Sequence, residues 1–129
     1  MKVVLDSNAL LMPFECGIDV FRECERLVDG RAEFVAFAQS QNELSGKSLK
    51  QRMRAGAIMA ALKKEGAEII PGAGKVDGMI LEYAKKHRGN VAVCTEDRGL
   101  MKRLRQVGLV QVIQSREKSH LVTSWRGGQ

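Results

Sequence analysis

The feature that most constrains this chain is an alternation of short, almost wholly apolar runs with longer stretches of helical period. The runs are Val3-Val4-Leu5, Phe34-Val35-Ala36-Phe37, Ile69-Ile70, Val91-Ala92-Val93-Cys94 and the stretch from Val110 to Ile113. A strand that is apolar on both sides must be covered on both sides, and a parallel sheet between helices satisfies this. The expected fold is therefore α/β: three layers, α/β/α, around a central parallel sheet of about five strands. All 129 residues are expected to form a single domain.

The helical stretches are marked by period and by their stops. A short turn from Asn8 to Met12 is expected to end at Pro13, and a helix over 18–28 begins near Asp19 and ends at Gly30. A further helix covers 39–45, with Gly46 as its stop. The longest covers 48–65, with Leu49, Met53, Ile58, Ala61 and Leu62 expected to face the core. Pro71-Gly72 cuts the third strand. Val76, Met79, Ile80, Tyr83 and Ala84 then recur at helical spacing as far as Gly89, and Leu100 to Val107 mark the last helix. His120 to Thr123 is expected to add a final edge strand.

Composition narrows the function classes. No apolar stretch approaches the roughly 18 residues needed to span a bilayer, so no membrane role is expected and a cytoplasmic location is. Cys16, Cys24 and Cys94 lack C-x-x-C spacing, and with His87 and His120 the only histidines, a zinc site is disfavoured. Cys94, inside an apolar run, reads as a core residue. The net charge is +6 but unevenly spread: Lys47, Lys50, Arg52, Arg54, Lys63 and Lys64 occupy 46–64 with no acid among them. From 98 to 126, Glu117 is the one acid among seven basic residues. A polyanion is the natural partner for such a surface, and nucleic acid is the commonest one.

Within this basic chain Asp6, Glu43, Asp77 and Asp97 each follow one of the first four apolar runs. In neighbouring parallel strands they would share the carboxyl edge of the sheet, where open α/β folds bind ligands. Crowded carboxylates repel each other, and burial makes their charge costly, so a cation is expected among them. Oxygen donors without sulfur or imidazole point to Mg²⁺ or Mn²⁺. Each acid also has a plain structural reading. Asp6 and Asp97 can cap the helices that follow, Asp77 can complement a helix dipole, and Glu43 can simply be solvated.

The segment Leu5-Asp6-Ser7-Asn8-Ala9-Leu10-Leu11 resembles the opening motif of PIN-domain ribonucleases. Val76-Asp77-x-x-Ile80-Leu81-x-x-Ala84 resembles their third acidic motif, and Val93-Cys94-Thr95-Glu96-Asp97-Arg98-x-Leu100 their fourth. Glu43 falls where the family's second acid is expected. Pro13-Phe14 followed by Asp19 suggests the branch of small prokaryotic, especially archaeal, PIN proteins related to VapC toxins and to nucleases that process ribosomal RNA. The resemblance implies a PIN-like fold and an endoribonuclease dependent on Mg²⁺ or Mn²⁺. Asp6, Asp77 and Asp97 would be metal ligands, and Glu43 a ligand or the residue that positions the attacking water. Thr95 would orient Asp6, and Asn8 would support the pocket. Glu96 and Gly78 depart from the pattern: the family often has a neutral polar residue at the first position, and this branch a second Asp at the other.

RNA would be gripped by Lys47, Lys50, Arg52, Arg54, Arg98 and Lys102, with Lys85, Lys86 and Arg103 nearby in charge. An antitoxin or a ribosome-assembly factor is a partner that the branch implies, and a homodimer is plausible by the same resemblance. Aromatic content is only 5%, which leaves few platforms for base stacking. Trp125 near the end of the chain is expected to pack on the domain edge. Two other readings compete: a PIN-like scaffold that holds RNA or protein without cutting, and a phosphate-relay receiver domain. Asp6 lacks the adjacent acid that a receiver needs.

Overall fold

The protein was analysed as a computed structural model, which describes residues 1–126. Its strands are β1 (Lys2–Leu5), β2 (Glu33–Phe37), β3 (Glu68–Ile70), β4 (Val91–Cys94), β5 (Gln111–Arg116) and β6 (His120–Trp125). The helices are α1 (Ser7–Glu15), α2 (Val20–Leu27), α3 (Ala38–Ser45), α4 (Leu49–Lys64), α5 (Val76–Lys86) and α6 (Arg98–Val107). The sheet order is β3-β2-β1-β4-β5-β6. The first five strands run parallel, and β6 returns antiparallel along β5. The expected three-layer α/β/α fold is present, with a mixed sheet of six strands.

Side-chain alternation divides the core. Val3, Leu5, Phe34, Ala36, Ala92 and Cys94 face the layer that includes Ala9, Cys24, Ile58 and Leu62, from α1, α2 and α4. Val4, Val35, Val93 and Val112 face the layer of Ile80, Ala84, Leu100 and Leu104, from α5 and α6. Cys94 is a buried core residue, and all three cysteines are free thiols. The edge strand β6 is held by α2: Arg26 donates to the Leu121 carbonyl (2.9 Å) and Glu23 accepts from the Leu121 N–H (2.9 Å). Trp125 packs against the second layer with the Arg105 guanidinium 5.8 Å from its ring, as a domain-edge residue.

Two expectations fail. α1 does not stop at Pro13 but contains it and runs to Glu15. Proline there forfeits one amide bond to the preceding turn, and the helix ends soon afterwards, so little of the ladder is lost. In α4, Ile58 and Leu62 are buried as expected, but Leu49 and Met53 are 65% and 67% exposed. The buried residues of α4 are Ala55, Ile58 and Leu62, all beyond its first turn, so the apolar period at its start has no core to meet. Ser48 begins this helix with a full capping box, its hydroxyl accepting from the Gln51 N–H at 3.1 Å while the Gln51 side chain accepts from the Ser48 N–H at 3.2 Å. Gly46, just before it, has a positive φ (48°) that favours glycine, and a Cβ there would push aside the Gln51 side chain that closes the box. No helix among the described residues is long and apolar enough to cross a membrane.

Candidate functional site

The chain leaves β1 in one direction, through β2 to β3, and crosses to β4 and β5 on the other side. The switch point therefore lies between β1 and β4, the crevice where such sheets bind ligands. Leu5 pairs with Cys94 in register, so Asp6 and Thr95 emerge from the sheet side by side.

Asp6 is 5% exposed and Thr95 is fully buried. The Thr95 hydroxyl donates to Asp6 Oδ2 at 2.7 Å, and the Ser7 N–H donates to Asp6 Oδ1 at 2.8 Å. Asn8 Nδ2 lies 3.4 Å from Asp6 Oδ2 and 3.5 Å from Thr95 Oγ1. Its Oδ1 accepts from the Glu96 N–H at 3.0 Å. The Thr95 hydroxyl also accepts from the Asp97 N–H at 3.1 Å, so one side chain fixes both the Asp6 carboxylate and the turn that carries Asp97. Thr95 and Asn8 thus both contact the Asp6 carboxylate.

The Asp97 carboxylate is exposed at the rim, and its Oδ1 caps α6 by accepting from the Leu100 N–H at 3.0 Å. Asp6 occupies the equivalent capping position for α1. The capping reading is therefore correct for both, and it does not compete with the rim position, because the helices begin at that rim. Asp77 is the second residue of α5, half-buried, with the Arg103 guanidinium 3.2 Å from Oδ2.

Burial raises the Asp6 carboxyl above the ordinary value of 3.8; the Thr95 and Ser7 hydrogen bonds pull it down, and the nearby charges of Asp77 and Asp97 push it up. The charges of Asp77 and Asp97 thus both reach Asp6 at this edge of the sheet. Glu43 lies on α3, which starts where β2 ends, and its side chain is exposed. It is on the correct edge but is not drawn into the Asp6 network.

Among the described residues, no three Asp, Glu, His or Cys side chains close on a point from which all could ligate one ion directly. The donor chemistry nevertheless fits a hard divalent cation that keeps part of its water shell: three carboxylates, no sulfur, no imidazole. Beside Asp6, the Ser7 hydroxyl oxygen is buried without a hydrogen-bond partner, a further oxygen suited to a bound water.

Two residues at this edge have roles that sequence reasoning missed. Glu96 is turned toward β5, where its Oε1 accepts from the Ser115 N–H at 2.7 Å. Its charge is spent anchoring the turn after β4, and no local pattern announces a partner on another strand. Arg103, grouped in the sequence only by charge, is the counter-ion of Asp77. At Gly78 a Cβ would meet open space, so the acid absent there could be accommodated sterically.

The basic residues lie apart from one another. Arg98 and Lys102 are exposed on the first turns of α6, beside Asp97, whereas Lys47, Lys50 and Arg52 are exposed at the start of α4. Arg54 is half-buried, with its guanidinium 5.8 Å from the centre of the Phe14 ring.

A mostly parallel α/β domain whose acids gather at the sheet's switch point is the class of protein defined here. The sequence pattern of the PIN-like domain family matches residues 3–118, and the chain belongs to that family. It is 27% identical over 122 residues to ribonuclease VapC4 of Methanocaldococcus jannaschii, covering 91% of this chain and 92% of the relative. It also shares its fold with the PIN domain endonuclease Utp24, with a TM-score of 0.75 at 19% identity over 95% of this chain and 90% of that one.

Proposed function

We propose that the protein is an endoribonuclease dependent on Mg²⁺ or Mn²⁺ that hydrolyses RNA phosphodiester bonds at the β1/β4 switch point. The observation that carries this reading is the buried Asp6, clamped by Thr95 and under the charges of Asp77 and Asp97. A carboxylate held ionisable in an apolar, acid-crowded setting is what a divalent cation relieves. The likeness to a protein named ribonuclease supports RNA as the substrate.

Asp6, Asp77 and Asp97 would hold the cation. When bound, it supplies charge neutralisation at the phosphodiester and a lowered pKa for a bound water. The residues of this chain provide the rest. The Thr95 hydroxyl holds Asp6 Oδ2, the Ser7 N–H holds Oδ1, and Asn8 ties the α1 turn to the β4 turn, so the acids need little reorganisation. Glu43, exposed above β2, would orient the attacking water or join the ligand set. Arg98 and Lys102, next to Asp97, would hold flanking phosphates, with Lys47, Lys50, Arg52 and Arg54 extending the track. An antitoxin or a ribosome-assembly factor would control or direct the activity, as in the toxin and RNA-maturation branches that the sequence resembles.

The test is cleavage of an end-labelled RNA by purified protein in Mg²⁺, with Asp6→Asn and Asp97→Asn as comparisons. The expected result is products with 5′-phosphate and 3′-hydroxyl ends, lost in both variants and with excess EDTA while circular dichroism stays unchanged. Activity that persists in EDTA, or in both variants, would reject the proposal.

A further inference from the structure

On the side of α5 away from Arg103, a groove of about 580 Å³ runs beside the edge of the sheet. It exists because β3 is only three residues long and forms the sheet margin, so α5 has no further strand to lie against. Phe37 and Ile70 form the floor from the ends of β2 and β3, and Met79 and Tyr83 form the wall from α5. One end is lined by Lys75 and Gly78, at the start of α5, whose first turn carries Asp77 on the helix's other side. That end lies at the carboxyl edge of the sheet, where β2 and β3 finish, although none of its lining belongs to the acid cluster.

Its chemistry is specific. The exposed lining is mostly apolar, with an aromatic ring held in a fixed plane. Phe37 meets Tyr83 edge-on (6.3 Å, 90°), and His87 packs against the same ring at 4.2 Å and 32°. Lys75 at that end and Lys86 at the far end flank this apolar strip with positive charge. Glu82 in the wall is paired with Lys85 at 3.2 Å, and the charges of Glu68 and Glu33 reach the Tyr83 hydroxyl from the strand side, so the positive charge of the groove sits at its two ends. A flat apolar-faced group with an anion on either side complements that arrangement, which describes a nucleotide within a single strand.

We propose that this groove is a base-binding subsite, which takes one unpaired nucleobase of the RNA next to the bond at Asp77, with Lys75 and Lys86 on the adjoining phosphates. The inference rests on the ribonuclease reading and adds to it a requirement for single-stranded RNA on the β3 side of the cut. A fixed ring next to a soft thioether offers stacking without sequence preference.

The test is binding of a fluorescein-labelled single-stranded RNA in EDTA, so that cleavage plays no part, by wild type, Tyr83→Ala, Tyr83→Phe and Met79→Glu. Loss of one stacked base is expected to weaken binding about ten-fold in Tyr83→Ala, and Met79→Glu, which sets a negative charge in the strip, at least as much. Tyr83→Phe should bind as wild type does. Should Tyr83→Ala unfold, Met79→Glu carries the result, together with photocrosslinking of 4-thiouridine RNA to wild type, which should label the peptide holding Met79 and Tyr83. Wild-type affinity in Tyr83→Ala or Met79→Glu, or crosslinks confined to residues 47–54, overturns the subsite and leaves the ribonuclease reading standing. A wild-type protein that binds no RNA overturns both. A shift from dimer to monomer in Met79→Glu, with RNA binding unchanged, assigns the groove to a second copy of the chain and overturns the subsite.

Discussion

Removing the Thr95 hydroxyl tests the account's electrostatics. In Thr95→Val, Asp6 Oδ2 loses its 2.7 Å donor while remaining buried. A hydrogen bond to a charged group contributes about 1.5–3 kcal/mol, and one pKa unit corresponds to about 1.4 kcal/mol. The Asp6 carboxyl, already raised above 3.8 by burial, should therefore rise further. Its folded-state pKa is above the unfolded value, so the native state binds the extra proton and stability falls as pH rises from 3.8 through the folded pKa. The variant should widen that window upward. Near neutral pH it should be less stable than wild type by about 2 kcal/mol, and the deficit should shrink in acid, where Asp6 is protonated in both proteins. Part of the loss is independent of pH, because the Asp97 N–H also loses its acceptor. Urea unfolding over a pH series separates the two parts. Calorimetric titration with Mn²⁺ should show the pH midpoint of binding moved upward, in the same direction as the Asp6 carboxyl. Thr95→Ser, which keeps the hydroxyl, should behave as wild type. An equal stability deficit at acid and neutral pH, with an unmoved Mn²⁺ midpoint in Thr95→Val, would refute the reasoning.

Three further outcomes follow from other contacts. The Arg103–Asp77 pair is half-exposed, so Arg103→Ala should change stability by less than about 1 kcal/mol; freeing Asp77 should tighten Mn²⁺ binding several-fold by calorimetry, and weaker binding would count against Asp77 as a ligand. Glu96→Ala removes a charge-assisted bond to the Ser115 N–H and should cost about 1.5–3 kcal/mol in urea unfolding; a gain in Mn²⁺ affinity would show instead that its charge bears on the site. RNA affinity should fall steeply with salt, and neutralising Lys50, Arg52, Arg98 and Lys102 together should flatten the log–log slope by about 0.7 per lost phosphate contact. A slope unchanged in that variant would place the RNA elsewhere.

The fold was largely legible because its signal is redundant. Apolar runs such as Val91–Cys94 are covered on both faces in a parallel sheet, and glycines such as Gly46 and Gly108 stop the helices that precede them. What misled was local chemistry read without its surroundings. Pro13 is a sound helix stop in isolation, yet α1 tolerates it near its end. Leu49 and Met53 have core period, but the core meets α4 only from Ala55 onward, which period does not encode. At the site, Asp6, Asn8, Thr95 and Asp97 were readable because they follow two strands that pair. The Glu96–Ser115 and Arg103–Asp77 contacts were not, because each joins residues brought together only by the folded sheet and its helices.

The central claim is that Asp6, Asp77 and Asp97 share one divalent cation. Anomalous scattering from a crystal soaked in Mn²⁺ tests it most directly. The account predicts a peak within coordination distance of an Asp6 carboxylate oxygen, with Asp77 and Asp97 bound directly or through its waters, and no peak there in Asp6→Asn crystals. Clear Mn²⁺ density elsewhere on the protein, with none at the end of β1, would contradict it.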